Sequence, residues 1–169
     1  MARKREEKKG EEGKSKELKI VTVQVVTPEK VMQNRRQMSL LYIIDALGPL
    51  HERSLTEVAY VIQDKGLDLG YDFRKVGNNI YSQSLKNDLV TLMYVGFLET
   101  EPGLYRKLKT TSQGKTALEK GGAPQGVADF IKAHFEELRN RVSLVDAEID
   151  KEIRDRARLV SRPRRRPGF

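Results

Sequence analysis

The 169-residue chain is 38% hydrophobic, enough for one modest core and too little for two independent domains. It has no cysteine, which excludes a disulfide framework, a zinc ribbon and a thiol nucleophile and fits an intracellular protein. Its formal net charge of +8 is carried by the ends: residues 1–17 sum to +2, residues 154–169 sum to +6, and the stretch between them is neutral.

Residues 1–17, "MARKREEKKGEEGKSKE", offer no apolar side chain beyond Met1 and Ala2. They cannot offset their ordering entropy and are expected to be a disordered charged tail. A domain over 18–120 should begin with "LKIVTVQVVT", a β-branched run that reads as a strand ended by Pro28. Its apolar part, "IVTVQVV", is interrupted by Thr and Gln and follows a highly charged segment, so it reads as neither a signal peptide nor a membrane span.

Met38, Leu41, Ile43 or Ile44, and Leu47 recur at helical spacing and predict one helix from about 29 or 36 to 47, stopped by Gly48-Pro49. Ser54 and Glu57 stand in capping-box spacing and predict a second helix over 55–65, with Leu55, Val58, Ala59 and Ile62 inward. A long connection, "LDLGYDFRKVGNN", leads to a third helix, whose stripe of Leu85, Leu89 and Leu92 ends at Gly96.

Next come two short strands, Phe97 to Thr100 and Tyr105 to Lys109, around the turn Glu101-Pro102-Gly103-Leu104. Pro then Gly at the central positions is type II turn chemistry. Thr111 can cap a fourth helix from Ser112 to about Lys120, broken by "GGAPQG" at the 121–126 linker. The "KTTSQGKT" segment ends like a phosphate-binding loop, but Lys109 stands where the first glycine belongs and the preceding strand is polar. Gly114 therefore reads as a packing glycine.

A long helix is expected over 127–158. Its Phe135, Leu138, Val142, Val145, Ile149 and Ile153 alternate spacings of three and four, a heptad stripe suited to a coiled-coil homodimer; packing back onto the chain's own core is the alternative. The 159–169 tail, "LVSRPRRRPGF", combines prolines with Arg162, Arg164, Arg165 and Arg166. Clustered arginines attract polyanions, and their proline flanks resemble an AT-hook without its Arg-Gly-Arg-Pro core, so non-specific phosphate binding is expected.

Three helices followed by a two-stranded hairpin resemble the winged helix-turn-helix superfamily over residues 36–120, in the style of the MarR and PadR regulators. The residues that carry the resemblance are "SQSLKNDLVTLMYVGFLE", "YRKLKTTSQGKTAL" and the "Y-x-F … Y-S-x-x-L-x-x-D-L" pattern set by Tyr71, Phe73, Tyr81 and Ser82. The resemblance implies a mainly α fold with a small antiparallel hairpin (α+β), followed by the long C-terminal helix. It also implies a third helix that meets double-stranded DNA through Asn79, Tyr81, Ser82, Gln83, Lys86 and Asn87. For any one of these, a capping or merely solvated role is the competing reading.

The chain departs from the pattern in its long link before the third helix, where Arg74 and Lys75 can add contacts, and in its acidic hairpin tip at Glu99 and Glu101. Strand alternation would put Lys107 and Lys109 on one face as phosphate contacts. The two histidines, His51 and His134, suggest no metal pair, and no cofactor or catalytic constellation is legible. The expectation is a non-enzymatic, cytoplasmic, nucleoid-associated dimeric regulator. The competing expectation is a winged-helix scaffold in a protein or ribonucleoprotein assembly, with the basic tails on RNA or an acidic partner.

Overall fold

Asn34 divides the first predicted helix in two. In the computed structural model, which describes residues 26–160, α1 (Pro28–Gln33) gives way to α2 (Arg35–Leu47) at an extended Asn34, whose side chain accepts from the amides of Arg36 (3.1 Å) and Gln37 (3.4 Å). Two amides of the first turn are thereby satisfied, so a fresh helix start is cheaper there than continuation. The strand expected from residue 18 and the arginines at 162–166 lie outside the described residues.

Helix α2 is the core of the domain. Its Met38, Leu40, Leu41, Ile43 and Ile44 are all buried, because α1, α4, α5, β4 and α6 each pack on it. After the Gly48-Pro49 stop, Leu50 forms an antiparallel bridge with Leu108, with amide–carbonyl bonds of 2.8 and 3.2 Å. The second predicted helix is α3 (Glu52–Asp64), and its start differs from the capping-box expectation. Its N-cap is His51, and Ser54 and Glu57 lie inside the helix, where a tertiary partner takes each side chain. Ser54 donates to Asp146, 92 residues away, and Glu57 meets Arg53 and Arg141.

The long connection contains a hairpin that hydrophobic periodicity does not show. Strands β1 (Arg74–Val76) and β2 (Asn79–Tyr81) pair through Val76↔Asn79 around Gly77-Asn78. Gly77 sits at φ 61°, the positive angle that a tight two-residue hairpin loop needs at its first central position. Helix α4 (Gln83–Tyr94) follows directly, four residues later than Asn79, the first of the contacts that the resemblance assigns to the third helix.

The second hairpin is shorter in its strands and longer in its loop than the four-residue turn predicts. Strands β3 (Leu98–Thr100) and β4 (Leu108–Thr110) pair in register Leu98↔Thr110, and residues 101–107 form the connection, closed by Glu101 N–H to the Lys107 carbonyl (2.8 Å). Arg106 takes φ 47° in that connection, which breaks the strand alternation expected for residues 105–109.

Thr111 then caps α5 (Ser112–Gly121) by accepting from Gly114 N–H, while its own hydroxyl donates to the Gly96 carbonyl at 2.6 Å. Gly114 is fixed by contact: a Cβ there would lie 2.3 Å from the Phe97 carbonyl oxygen and 2.8 Å from Thr110 Cγ2. Gly114→Ala is therefore expected to destabilise the fold by about 2 kcal/mol, even after the roughly 1 kcal/mol alanine gains in a helix. Gly126→Ala, where the nearest side-chain atom is 3.8 Å away, should change stability in the opposite direction. Denaturant melts of both variants check the pair.

Helix α6 (Gln125–Val160) breaks its helical geometry at His134 (φ −116°, ψ 17°), whose Nδ1 donates to the Phe130 carbonyl and whose ring stacks on Phe130 at 4.3 Å. The helix lies across α2 and α3 of its own chain. Leu138, Val142 and Val145, half of the stripe assigned above to a second copy, are buried in this intramolecular packing. Phe135, Ile149 and Ile153 are half-buried, and every residue from Arg154 to Val160 is exposed. The described chain is thus mostly helical, with two small antiparallel hairpins and a long C-terminal helix.

Candidate nucleic-acid interface

The placement of α4 rests on one buried carboxylate. Leu85, Leu89 and Leu92 bury an apolar stripe, and Asp88, at 3% exposure, sits within it. Its oxygens accept from Arg36 Nε (2.6 Å) and Nη2 (3.2 Å), Gln37 Nε2 (3.0 Å) and the Tyr71 hydroxyl (3.1 Å). Burial pushes the Tyr71 hydroxyl well above its ordinary pKa, and the Asp88 charge adds to the effect, so it stays protonated and remains a donor. Arg36 is raised chiefly by its hydrogen bond to Asp88, and its guanidinium also lies 5.3 Å from the Tyr71 ring centroid. These bonds lock α4 to α2 and to the segment before β1.

With that face fixed, the opposite one is set. Gln83, Lys86, Asn87, Val90 and Tyr94 recur at intervals of three and four and are all exposed. Ser82 is the N-cap, accepting from Leu85 N–H at 3.3 Å, and it is buried. Asn79 and Tyr81 lie on β2, one residue or more before the cap, and so flank the helix rather than belong to it. Tyr81 donates its hydroxyl to Gln83 Oε1, and Gln83 Nε2 donates to Asn87 Oδ1 at 2.9 Å.

Lys86 Nζ stands 4.0 Å from Glu52, with both side chains half in solvent, a pairing that holds little energy and leaves the lysine available. The β1–β2 hairpin adds exposed Arg74 and Lys75 beside the start of α4. Lys75 Nζ lies 5.2 Å from the Tyr60 ring centroid, and Tyr60 packs edge-on to Phe73 at 5.6 Å.

The two strand lysines part company. Lys109 is exposed and faces Glu99 across the hairpin at 3.6 Å. Lys107 precedes β4 and turns to α6, with Nζ 2.9 Å from Asp146 and 3.5 Å from Asp150. Asp146 also accepts from His51 N–H (3.2 Å) and from Ser54, so a carboxylate of α6 sits at the N-terminus of α3, where negative charge is favoured. His51 Nε2 meets Asp150 at 2.7 Å in the same junction.

Burial alone would lower the Lys107 pKa, but its bonds and charge contacts with Asp146 and Asp150 outweigh burial and hold it above the usual lysine range. A folded value above the unfolded one, about 10.4, gives stabilisation that is complete below that pH and is lost as pH rises through the folded value. Lys107→Met should therefore be less stable than the wild type at pH 7, with a gap that narrows above about pH 10.4 in parallel denaturant melts.

No family model, curated protein or solved structure matches this chain. Its own geometry therefore carries the functional argument. Among the described residues no helix is long and apolar enough to cross a membrane, and no group of three or more His, Asp or Glu is placed to hold a metal ion.

Of the predicted contact residues, the structure gathers Asn79, Tyr81, Gln83, Lys86 and Asn87 around the start of α4, buries Ser82 as a cap, and commits Lys107 to an internal ion pair. Arg162, Arg164, Arg165 and Arg166 lie outside the described residues. Asp88 entered the sequence reading only as a letter of the resemblance's pattern, and Asp146, with Glu148, Asp150 and Glu152, as part of a solvated face of the long helix; the structure instead buries both, Asp88 behind α4 and Asp146 at the junction of α3 and α6. The signal available for Asp88 was an acidic residue inside an apolar helical stripe, which has to find buried donors.

Proposed function

We propose that the protein is a winged-helix DNA-binding protein that presents the exposed face of α4 to the major groove, acting as a transcription regulator or chromatin-associated factor. The observation that carries this reading is the row Gln83, Lys86 and Asn87 on the first two turns of α4, solvent-exposed while Asp88 anchors the helix from behind. The order α2, Leu50, α3, α4, β3, β4 supports it. Leu50 bridged to Leu108 supplies the short first strand of a winged helix, and β1–β2 is an insertion that adds Arg74 and Lys75 at the groove edge.

Amide side chains and a lysine at a helix start are suited to base edges and phosphates. The arginines at 162–166 add sequence-independent phosphate attraction. Self-association through α6 falls to Ile149, Ile153 and the exposed Leu159 and Val160, since Leu138, Val142 and Val145 are used within the domain.

The combined variant Gln83→Ala, Lys86→Ala, Asn87→Ala should lose roughly tenfold or more in duplex affinity. All three side chains are exposed, so the melting temperature should stay within about 2 °C of the wild type. Unchanged affinity at unchanged stability would remove α4 from the interface. A second reading, docking within a protein assembly, is favoured by the exposed Val90, Met93 and Tyr94 on the later turns of α4. Met93→Ser with Tyr94→Ser separates the two, because only a docking role makes those side chains the main source of affinity.

A further inference from the structure

A hydrogen-bond chain along the exposed face of α4 links Tyr81, Gln83 and Asn87 and orders the Asn87 amide. Tyr81 donates to Gln83 Oε1, and Gln83 Nε2 donates to Asn87 Oδ1 at 2.9 Å. Asn87 is thereby held with Oδ1 toward Gln83 and Nδ2 pointing away from it. A carbonyl oxygen has two lone pairs, so Asn87 keeps one acceptor position and two N–H donors for a ligand. One donor beside one acceptor is the complement of the major-groove edge of adenine, which shows an N7 acceptor next to an N6 donor. Guanine shows two acceptors there, so the Asn87 oxygen would face an acceptor with no hydrogen between them.

Val90 follows Asn87 by one turn on the same face and is 60% exposed. Three residues of helix advance about 4.5 Å, close to one base step of about 3.4 Å. A β-branched apolar side chain at that place makes no hydrogen bond, and the apolar group of the major groove is the thymine C5 methyl. Lys86, Arg74 and Lys75 flank the row with positive charge, as a phosphate-lined groove requires.

We infer that, resting on the DNA-binding reading above, the face selects a major-groove site with adjacent A·T pairs: Asn87, oriented by Gln83 and Tyr81, reads adenine, and Val90 meets a thymine methyl. Contacts from the arginine tail would not produce this pattern, because a tail lying in the minor groove does not touch the C5 methyl.

The test is selection of the full chain against a randomised duplex pool. Fluorescence anisotropy then measures affinity for the winning duplex, a version with its shared A·T step replaced by G·C, and a version with uracil for thymine. The expected result is that the G·C replacement weakens wild-type binding about tenfold and has less than about a twofold effect on Asn87→Ala. Uracil, which removes only the methyl, should weaken the wild type about threefold and leave Val90→Ala unaffected. Selected duplexes without a common A·T step, or equal binding of thymine and uracil duplexes by the wild type, would overturn the inference while leaving DNA binding in place. Absence of binding to any duplex would overturn it together with the reading on which it rests.

Discussion

Leu138→Ala is expected to lower the unfolding free energy by about 3 kcal/mol while leaving the mass of the native particle unchanged. Leu138 is completely buried, and the helix that carries it packs on α2 and α3 of the same chain. Truncating such a leucine removes its transfer free energy and opens a cavity that a helix held on two sides cannot collapse. A coiled-coil dimer predicts a different outcome, in which the alanine variant dissociates to monomer and its stability depends on protein concentration. Ile153→Ala is the internal control. Its side chain is half-buried at the point where α6 leaves the core, so about 1 kcal/mol or less is expected there. Denaturant melts at two protein concentrations, with mass by light scattering, give both readouts.

The second large effect belongs to Asp88. Asp88→Ala should destabilise by about 3 kcal/mol, because it strands Gln37 as a buried donor, leaves the Tyr71 hydroxyl only its long 3.4 Å bond to the Arg36 carbonyl, and leaves the Arg36 guanidinium without its counter-charge. Arg36→Ala should cost less, since the Arg36 side chain is 38% exposed and the remaining carboxylate keeps two donors. Tyr71→Phe, which deletes one donor, should cost about 1 kcal/mol. The double variant Arg36→Ala, Asp88→Ala should lose less than the sum of the two singles, and that shortfall measures the coupling. Additive losses would mean that the two groups act independently despite a 2.6 Å contact. Because Asp88 positions α4, its variants should also weaken nucleic-acid binding under conditions where the protein is still folded.

Much of this arrangement can be read from local spacing. The Leu85, Leu89 and Leu92 stripe, the Thr111 cap and the close packing at Gly114 each depend on residues within a few positions of one another, and the structure places them as their spacing suggests. What could not be read depends on distant partners. Ser54 and Glu57 have the spacing of a capping box, yet the N-cap is His51 and a carboxylate 92 residues away takes the Ser54 hydroxyl.

The heptad along α6 shows the same limit from the other side. Periodicity identifies a stripe that needs burial, and it does not say whether the burying surface belongs to the same chain. The Gly77-Asn78 hairpin was legible in principle, since Gly at the first loop position is a turn signal, but its strands of three residues carry no alternation to draw attention to them. In the candidate interface, Gln83, Lys86 and Asn87 came from the resemblance, and their exposure agrees with the helical spacing that turns Leu85, Leu89 and Leu92 inward. The inward turn of Lys107 did not, because Arg106 at φ 47° interrupts the strand geometry that alternation assumes.

The central claim is that α4 meets duplex DNA, and salt-titrated anisotropy with the full chain tests it most directly, using duplex DNA, single-stranded DNA and RNA of equal length. The predicted result is tightest binding to the duplex, with log affinity falling linearly in log salt by about 0.9 for each phosphate neutralised, and a slope reduced by about one in Lys86→Ala. Equal binding to all three nucleic acids with the same slope in the wild type and Lys86→Ala, or no binding at low salt, would contradict it.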